Sequence, residues 1–323
     1  MTWPGSPSSD DSQVTAAAAA PPVPPRARTV RRRLLHDRGF VTGAAIAATM
    51  VLVALAAPLL TALAGQDYTT YHNDLLDSAR GGVPLGSLGG ISGEHWLGVE
   101  PGTGRDLFAR IVYGARVSLG VAGAATVLQV AIGLFVGTAA GLGGRYADAA
   151  LSRLIDLVLA VPSLVLAISL LAIVPADWPR PALLAVVIAL LGWGGTARIT
   201  RSESLTLRTR DYVAAAQVSG AGWFRIARRE ILPGLTAPVL TYAALLLPTN
   251  MIVEAGLSFL GVGVRPPTPS WGQMLSTATT WVRADPMYVI VPGGLLFLTL
   301  LAFALVANGL RRVLDPRRSE VPR

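Results

Sequence analysis

Residues 211–233 read DYVAAAQVSGAGWFRIARREILP and form a long polar interruption in a chain that consists mostly of apolar runs. The alanine-rich beginning predicts a short helix with Asp211 as its N-cap, and Gly220 ends that helix. A second short helix is expected over residues 223–231, with Pro233 as its limit. Two short helices that meet at a glycine hinge and join membrane spans at both ends are suited to transmitting a push from a soluble partner.

The composition is that of a polytopic membrane protein. Of 323 residues, 52% are hydrophobic and only 14% are charged. The chain has no cysteine, which excludes disulfides, thiolate catalysis and metal sites with cysteine ligands. It also has no lysine. A Walker A loop needs a lysine to reach the β- and γ-phosphates of ATP, so any ATP hydrolysis must come from another subunit.

Apolar runs predict six membrane spans, because crossing the hydrocarbon core takes about 20 residues. The predicted spans are residues 40–64, 117–142, 154–174, 182–199, 239–259 and 288–310. The fold class is therefore an all-α integral membrane protein, with the spans contained in residues 39–314. Residues 1–38, rich in proline, alanine, serine and arginine, are predicted to be a disordered basic cytoplasmic tail, and residues 315–323 a second cytoplasmic tail.

The distribution of arginine favours one orientation of these spans. With both termini and residues 208–233 inside, the outer segments hold only Arg80, Arg105, Arg110, Arg180, Arg265 and Arg283. Arg116 lies at a boundary, and the rest of the 27 basic residues are inside. Because basic residues concentrate in cytoplasmic segments, both termini and residues 208–233 are expected in the cytoplasm.

Small and charged residues inside the spans indicate how the helices pack. Gly133, Gly137 and Gly141 recur at intervals of four in the second span and predict a surface that another helix approaches closely. In the third span, Asp156 is expected to pair with Arg153 rather than to relay protons.

Prolines predict bends in two spans, Pro162 in the third and Pro248 in the fifth. The fifth span also contains Asn250 and Glu254. Broken helices with polar residues are tolerated where they line a cavity or pack inside protein. Both residues are therefore candidates for a cavity or gate, with a buried hydrogen-bonding role at a helix interface as the alternative.

An ordered set of short motifs extends along the chain. The motifs are HWLG at 95–98, GRD at 104–106, YGARVSL at 113–119, GLSFLGVG at 256–263, PPTPSWG at 266–272 and NGLRRVLDPR at 308–317. Residues 215, 216, 220, 232 and 233 add a characteristic loop spacing of Ala-Ala, Gly and Leu-Pro. Together these features resemble the permeases of ABC importers for dipeptides, oligopeptides and nickel. The loop is similar to the EAA loop of that family, with Ala214 in place of the usual glutamate.

The resemblance implies a type I ABC-importer permease architecture in the bacterial cytoplasmic membrane, with residues 208–233 as a cytoplasmic coupling-helix loop. It implies four kinds of partner: a homologous second permease subunit, two ATPase subunits, an extracytoplasmic substrate-binding protein and the lipid bilayer. The chain itself is expected to be a transport subunit and not an enzyme, with no cofactor or metal of its own. ATP and Mg²⁺ belong to the ATPase subunits, whose work would drive alternating access. Peptides are the preferred cargo, and nickel chelates stay open.

The coupling loop supplies the candidate contacts with the ATPase. Arg225, Arg228 and Arg229 are candidates for polar contacts, unless they lie among lipid headgroups instead. The other candidates, for apolar packing or loop geometry, are Tyr212, Ala215, Ala216, Gly220, Phe224 and Pro233.

Two other classes of function compete with this interpretation. An ion-coupled secondary transporter or channel could use Asp156, Glu254 and Asn308 as sites for coupling ions. An integral-membrane enzyme is poorly supported, because the chain has only three scattered histidines and no clustered carboxylates. One of these histidines, His95, is expected to be an interfacial residue beside Trp96 and not a metal ligand.

Overall fold

The chain folds into a bundle of helices with one long, mostly irregular connection. The computed structural model describes residues 27–175 and 177–314. The helices are α1 (Ala27–His36), α2 (Arg38–Leu55), α3 (Ala57–Ala64), α4 (Leu107–Leu142), α5 (Arg145–Ala160), α6 (Ser163–Ile173), α7 (Arg180–Arg208), α8 (Asp211–Val218), α9 (Trp223–Ile226), α10 (Leu232–Phe259), α11 (Trp271–Trp281) and α12 (Met287–Leu314). Residues 65–106, here named the cap, hold a small antiparallel pair of strands, β1 (Leu76–Asp77) and β2 (Val83–Pro84).

The membrane fold class predicted from the apolar runs is confirmed. Five continuous helical stretches in the described residues are long and apolar enough to cross a membrane: α2, α4, α7, the run from α9 through α10, and α12. The pair α5 and α6 counts as a sixth span if it is taken as one bent segment, with an angle of 81° between its halves. This bend lies at Pro162, where the sequence predicted it.

Several helices extend beyond the predicted spans. Helix α4 begins at Leu107 instead of residue 117, because Asp106 caps it by accepting a hydrogen bond from the Ala109 N–H at 2.7 Å. Helix α7 continues to Arg208 instead of ending at residue 199. Apolar runs mark where a helix crosses hydrocarbon, and a polar continuation of the same helix gives no apolar signal.

Two predictions about local structure are wrong. Residues 27–36 of the supposedly disordered tail form α1, since this arginine- and leucine-rich segment contains strong helix formers; residues 1–26 and 315–323 lie outside the described residues. The fifth span is not broken, because α10 runs unbroken through Pro238 and Pro248. Prolines are tolerated inside spans whose neighbours restore the lost packing and hydrogen bonds.

Helix α4 packs against α7 through its glycines. A Cβ atom added at Gly133 would lie 2.4 Å from the Thr196 Cβ, and one added at Gly137 would lie 2.4 Å from the Ala197 carbonyl oxygen. Gly141 meets Ser204 in the same way, with its added Cβ at 2.6 Å from the Ser204 Cβ. The three glycines therefore lie in the α4–α7 contact, where only a hydrogen atom fits between the two helices.

Candidate functional site

The segment between α7 and α10, residues 209–231, is here named the elbow. Helix α8 begins at Asp211, preceded by Arg210 in an extended conformation and without a side-chain cap hydrogen bond. The prediction of Asp211 as N-cap is therefore wrong by one residue, as happens readily at helix ends. Gly220 follows the helix with a φ of 77°, the left-handed conformation that glycine adopts without steric cost.

The second half of the elbow is continuous with a membrane span. Helix α9 passes into a π-helical turn, Ala227–Ile231, and then directly into α10, so Pro233 does not end a helix as predicted. A proline ring clashes with the carbonyl group four residues earlier in an α-helix, and the wider π-turn just before Pro233 gives the ring room. Residues 223–259 therefore form one helical rod that reaches from the elbow into the bundle.

A small hydrophobic cluster fixes the elbow to the bundle. Val213 of α8 and Ile226 of α9 are buried together with Ile231, Leu235 and Val239. Partly buried apolar residues of α4 and α7 pack against this cluster. Ala216 and Ala221 also face it, so Ala216 contributes to the elbow's own packing. The elbow is thus a packed part of the fold and not a loose connection.

The outward side of the elbow combines large apolar and cationic side chains. Trp223 and Phe224 are 64% and 66% exposed, and Tyr212 is 44% exposed. The predicted contact residues Arg225, Arg228 and Arg229 are exposed, as is Ala215. Exposed aromatic residues beside arginines are the composition typical of a protein-binding surface.

A groove runs along this surface. Its volume is about 300 Å³, and its lining includes Ser219, Arg225, Arg229 and Glu230. Since both guanidinium groups and one carboxylate border it, the groove offers charged partners to a docking segment.

A polar network crosses the middle of the bundle and contains Asn250. The side-chain amides of Asn250 and Gln129 bond each other reciprocally, at 2.9 and 3.2 Å. The Asn250 amide also donates to the Thr126 hydroxyl at 2.9 Å, and the Gln129 amide donates to the Ile188 carbonyl at 3.0 Å. The network therefore links α4, α7 and α10 inside the chain's own packing. Gln129 was missed by sequence reasoning, although a lone polar residue in an apolar span was the available signal.

Glu254, the other candidate gate residue, is fully buried on α10. One of its carboxylate oxygens accepts a hydrogen bond from the Ser258 hydroxyl at 2.9 Å. The other oxygen has no hydrogen-bond partner among the described residues. The structure thus places Glu254 within the chain's own helix packing; its role as a gate stays a prediction.

A buried ionic network in the cap was not foreseen from the sequence. Glu100 is fully buried and contacts Arg105 at 2.6 Å and Arg110 at 3.5 Å. It also accepts a hydrogen bond from the Tyr288 hydroxyl of α12. Arg110 in turn donates to the Gln273 side chain of α11 at 2.9 Å. The sequence presented these residues as ordinary charges of an outer loop, because their partners are up to 188 residues apart.

Tertiary contacts also correct the expected environment of His95 and the expected partner of Asp156. His95 is buried and its Nδ1 lies 2.8 Å from Asp106, so it is not an interfacial residue. Asp156 pairs with Arg198 of α7 at 2.8 Å and not with Arg153 of its own helix. Both corrections arise because folding places each residue against a partner that lies outside its immediate sequence neighbourhood.

Asp285 lies between α11 and α12 beside the cap and is 3% exposed. Its Oδ1 accepts a hydrogen bond from the Met287 N–H at 3.2 Å, whereas its Oδ2 has no hydrogen-bond partner among the described residues. Burial raises the pKa of the Asp285 carboxyl, because desolvation disfavours the charged form.

Asp285→Asn is expected to stabilise the protein more at pH 8 than at pH 4. As pH rises above about 4, the carboxyl ionises in the unfolded chain before it ionises in the folded one, which lowers the free energy of unfolding. Asparagine removes this dependence and still accepts the hydrogen bond from Met287. Thermal unfolding at both pH values measures the effect, with the exposed Glu94→Gln as control. An equal change in the unfolding midpoint of Asp285→Asn at both pH values would contradict this expectation.

The bundle of apolar spans, with its packed elbow and the buried ionic network around the cap, is an all-helical membrane fold, the fold class of membrane permeases. Family models agree with this class. Residues 129–320 match the model described as binding-protein-dependent transport system inner membrane component. Residues 26–77 match the N-terminal TM domain of oligopeptide transport permease C.

Individual proteins match along most of the chain. It is 36% identical to the dipeptide transport system permease protein of Alkalihalophilus pseudofirmus, over 90% of both chains. It is 34% identical to the oligopeptide transport system permease protein of Bacillus subtilis, over 86% of this chain and 85% of that one. It is 37% identical to the glutathione transport system permease protein of Pectobacterium atrosepticum, over 71% and 74%.

This chain belongs to the family of binding-protein-dependent transport system inner membrane components. The resemblance inferred from its motifs is confirmed, and the chain is a transport subunit of the ABC-importer class. The alternative of an ion-coupled secondary transporter or channel is set aside by this membership.

Proposed function

We propose that this chain is the permease subunit of an importer that carries di- or oligopeptides into the bacterial cytoplasm. The proposal includes the orientation: both termini and the elbow lie in the cytoplasm, and the cap lies outside. The observation that carries the proposal is the elbow, an exposed aromatic and cationic surface that is continuous with a membrane span.

The elbow is suited to coupling because it is rigid at its base and open at its surface. Val213 and Ile226 anchor it, while Phe224 and its neighbouring arginines remain available to an ATPase subunit. Closure of two ATPase subunits around ATP would push the elbow, and the rod of residues 223–259 would carry that movement to the level of Glu254. Helices α4 and α7 pack on this rod through the Gln129–Asn250 network and would rock with it.

The proposed orientation is supported by the exposed arginines of the elbow. The elbow exposes Arg225, Arg228 and Arg229, as expected of a cytoplasmic segment. At the cap end of the bundle, Arg105 and Arg110 are instead buried against Glu100, and Arg80 of the cap is exposed.

The cargo proposal rests on the relatives. The dipeptide, oligopeptide and glutathione permeases named above are all named for peptides or a peptide-like solute. We therefore propose a peptide, delivered by an extracytoplasmic binding protein to a pathway shared with a homologous second permease subunit. Two ATPase subunits, which hold ATP and Mg²⁺, complete the importer.

Gly220→Val tests the coupling. A Cβ atom at position 220 would meet nothing within 4 Å, so the substitution acts through backbone strain at a φ of 77° and not through a clash. β-branched residues disfavour this conformation, which would shift α9 relative to α8. The expected result is a loss of ATP-dependent peptide uptake of about tenfold or more, with membrane insertion intact.

The matched control is Gly220→Asn, because asparagine tolerates the left-handed conformation. Both variants are assembled with the second permease, the ATPases and the binding protein in proteoliposomes, and uptake of a labelled dipeptide is measured with and without ATP. Wild-type uptake by the valine variant would contradict coupling through the elbow. Uptake driven by an ion gradient without ATP would contradict the proposed function itself.

A further inference from the structure

A cavity of about 430 Å³ lies near the cap, between the N-terminal half of α4, the first turns of α7 and the segment that follows α10. Its walls are mainly apolar, with Val117, Val121 and Ala185 among the lining residues. Two tyrosines, Tyr68 of the cap and Tyr113 of α4, stand together at this cavity with ring centroids 4.4 Å apart. The volume is in the range of sites for small molecules, roughly 300–1,000 Å³.

Arg116 is the charged residue of this wall. Its side chain is exposed, and it has no hydrogen bond or ion pair with another described residue. The described residues that line the cavity include no carboxylate that could neutralise it. Arg116, Gly120 and Ala124 follow one another at intervals of four, so they lie on one exposed face of α4.

Three other arginines at this end of the bundle are already engaged, whereas Arg265 and Arg283 are exposed. Arg105 and Arg110 contact Glu100 in the cap. Arg180, at the start of α7, donates to the carbonyl groups of Leu171 and Val174 at 2.9 and 3.0 Å. The guanidinium of Arg116, which lines the cavity, is therefore available to a ligand, whereas those of Arg105, Arg110 and Arg180 serve the fold.

We propose that this cavity is a subsite for the C-terminal carboxylate of a peptide, bound by Arg116. A guanidinium group binds a carboxylate through two parallel, charge-assisted hydrogen bonds, which are roughly twice as strong as neutral ones and fix the orientation of the anion. The faces of Tyr68 and Tyr113 and the apolar wall receive the neighbouring side chain of the peptide. This subsite rests on the proposed peptide cargo, and it adds to this permease a means of orienting the peptide as it enters the pathway.

The test compares two peptides in the complete importer: a labelled dipeptide with a free C-terminus, and the same dipeptide with a C-terminal amide that the wild-type complex carries measurably. Arg116→Gln is expected to lower the initial rate of uptake of the free acid about tenfold, because a charge-assisted pair is lost. The rate for the amide should change less than about twofold, since it never formed that pair. Each variant is compared with wild type for the same peptide, so the preference of the binding protein cancels.

Two further variants sharpen the result. The rate of uptake of the free acid in Arg116→Lys should lie between the rates in wild type and Arg116→Gln. An ammonium group keeps the charge but lacks the planar fork of guanidinium. Arg283→Gln removes another exposed arginine between α11 and α12, away from the cavity, and should leave both rates unchanged. An equal decrease in the uptake rates of both peptides in Arg116→Gln would overturn the subsite, because it would indicate that Arg116 contacts another subunit or has a structural role.

A lipid phosphate is the other anion that could occupy the site. The measurements are therefore repeated in vesicles of phosphatidylcholine alone and in vesicles containing phosphatidylglycerol. If Arg116→Gln lowers the uptake of the free acid selectively in both kinds of vesicle, the peptide subsite is supported. If it lowers that uptake only in vesicles containing phosphatidylglycerol, the subsite is overturned. Failure of the unmodified complex to carry either peptide would overturn the peptide cargo itself, and it would be seen before any variant is made.

Discussion

Glu100→Gln is expected to lower the free energy of unfolding by about 3–5 kcal/mol, the usual consequence of removing one partner from a buried ion pair. Glu100 is the only carboxylate in direct contact with both Arg105 and Arg110 among the described residues, and it is fully buried. Glutamine keeps the shape but leaves two buried cations without their counter-charge. Tyr288 would also lose its charged acceptor.

The measurement is the midpoint of thermal unfolding of the purified protein, which should fall by roughly 10 °C. Glu94→Gln is the matched control, because Glu94 belongs to the same cap but is exposed. Its midpoint should stay within about 1 °C of wild type, since exposed charges contribute little. An unchanged midpoint for Glu100→Gln would show that the cap does not depend on this carboxylate.

Gly137→Leu is expected to prevent the normal packing of α4 on α7. A Cβ atom at position 137 would lie 2.4 Å from the Ala197 carbonyl oxygen and 2.7 Å from the Thr200 Cβ. The first of these atoms belongs to the backbone of α7, so a rotamer change cannot relieve the clash and the helices must separate. The separation would also break the Gln129 contact with Ile188 on α7. We expect the free energy of unfolding to fall by at least about 3 kcal/mol, at the upper end of the effects of overpacking.

Limited proteolysis and the yield of monodisperse protein after detergent extraction measure this effect. Gly123→Leu serves as control, because an added Cβ at Gly123 of the same helix meets nothing within 4 Å. Gly137→Ala should be intermediate, since its single methyl group still meets the Ala197 oxygen. Equal protease resistance of the two leucine variants would mean that α7 can yield at little cost, and that the glycines are not needed for close packing.

Much of the fold could be predicted because it depends on local sequence. Runs of about 20 apolar residues must cross the hydrocarbon core, whatever their tertiary partners. The glycine at position 220 and the proline at position 162 restrict the backbone through their own covalent structure, so the hinge and the 81° bend were found at the expected places. The elbow was predictable as a segment for the same reason, although the continuity of α9 with α10 was not.

The candidate site was only partly predictable. Arg225, Arg228 and Arg229 were identified from spacing and are exposed. Ala216, chosen for contact with a partner, packs partly against the chain's own cluster and also lines the groove, so its contact with a partner stays a prediction. Whether a residue of a short helix faces inward or outward depends on how that helix is rotated, and this rotation is set by the neighbouring spans.

The sequence by itself determined the membrane class, the approximate spans, the elbow and the family, because each depends on composition or on residues close together in the chain. Only the tertiary structure decided which charges are buried and which remain available. Glu100 and Tyr288 are 188 residues apart in sequence, yet they share one hydrogen bond. Arg110 and Arg116 are about 1.7 turns of α4 apart, yet Arg110 is paired with the buried Glu100 of the cap and Arg116 borders a cavity. The sequence shows an arginine in the same way whether it is buried in an ion pair or exposed at a cavity, and only the packing around it determines its electrostatic role.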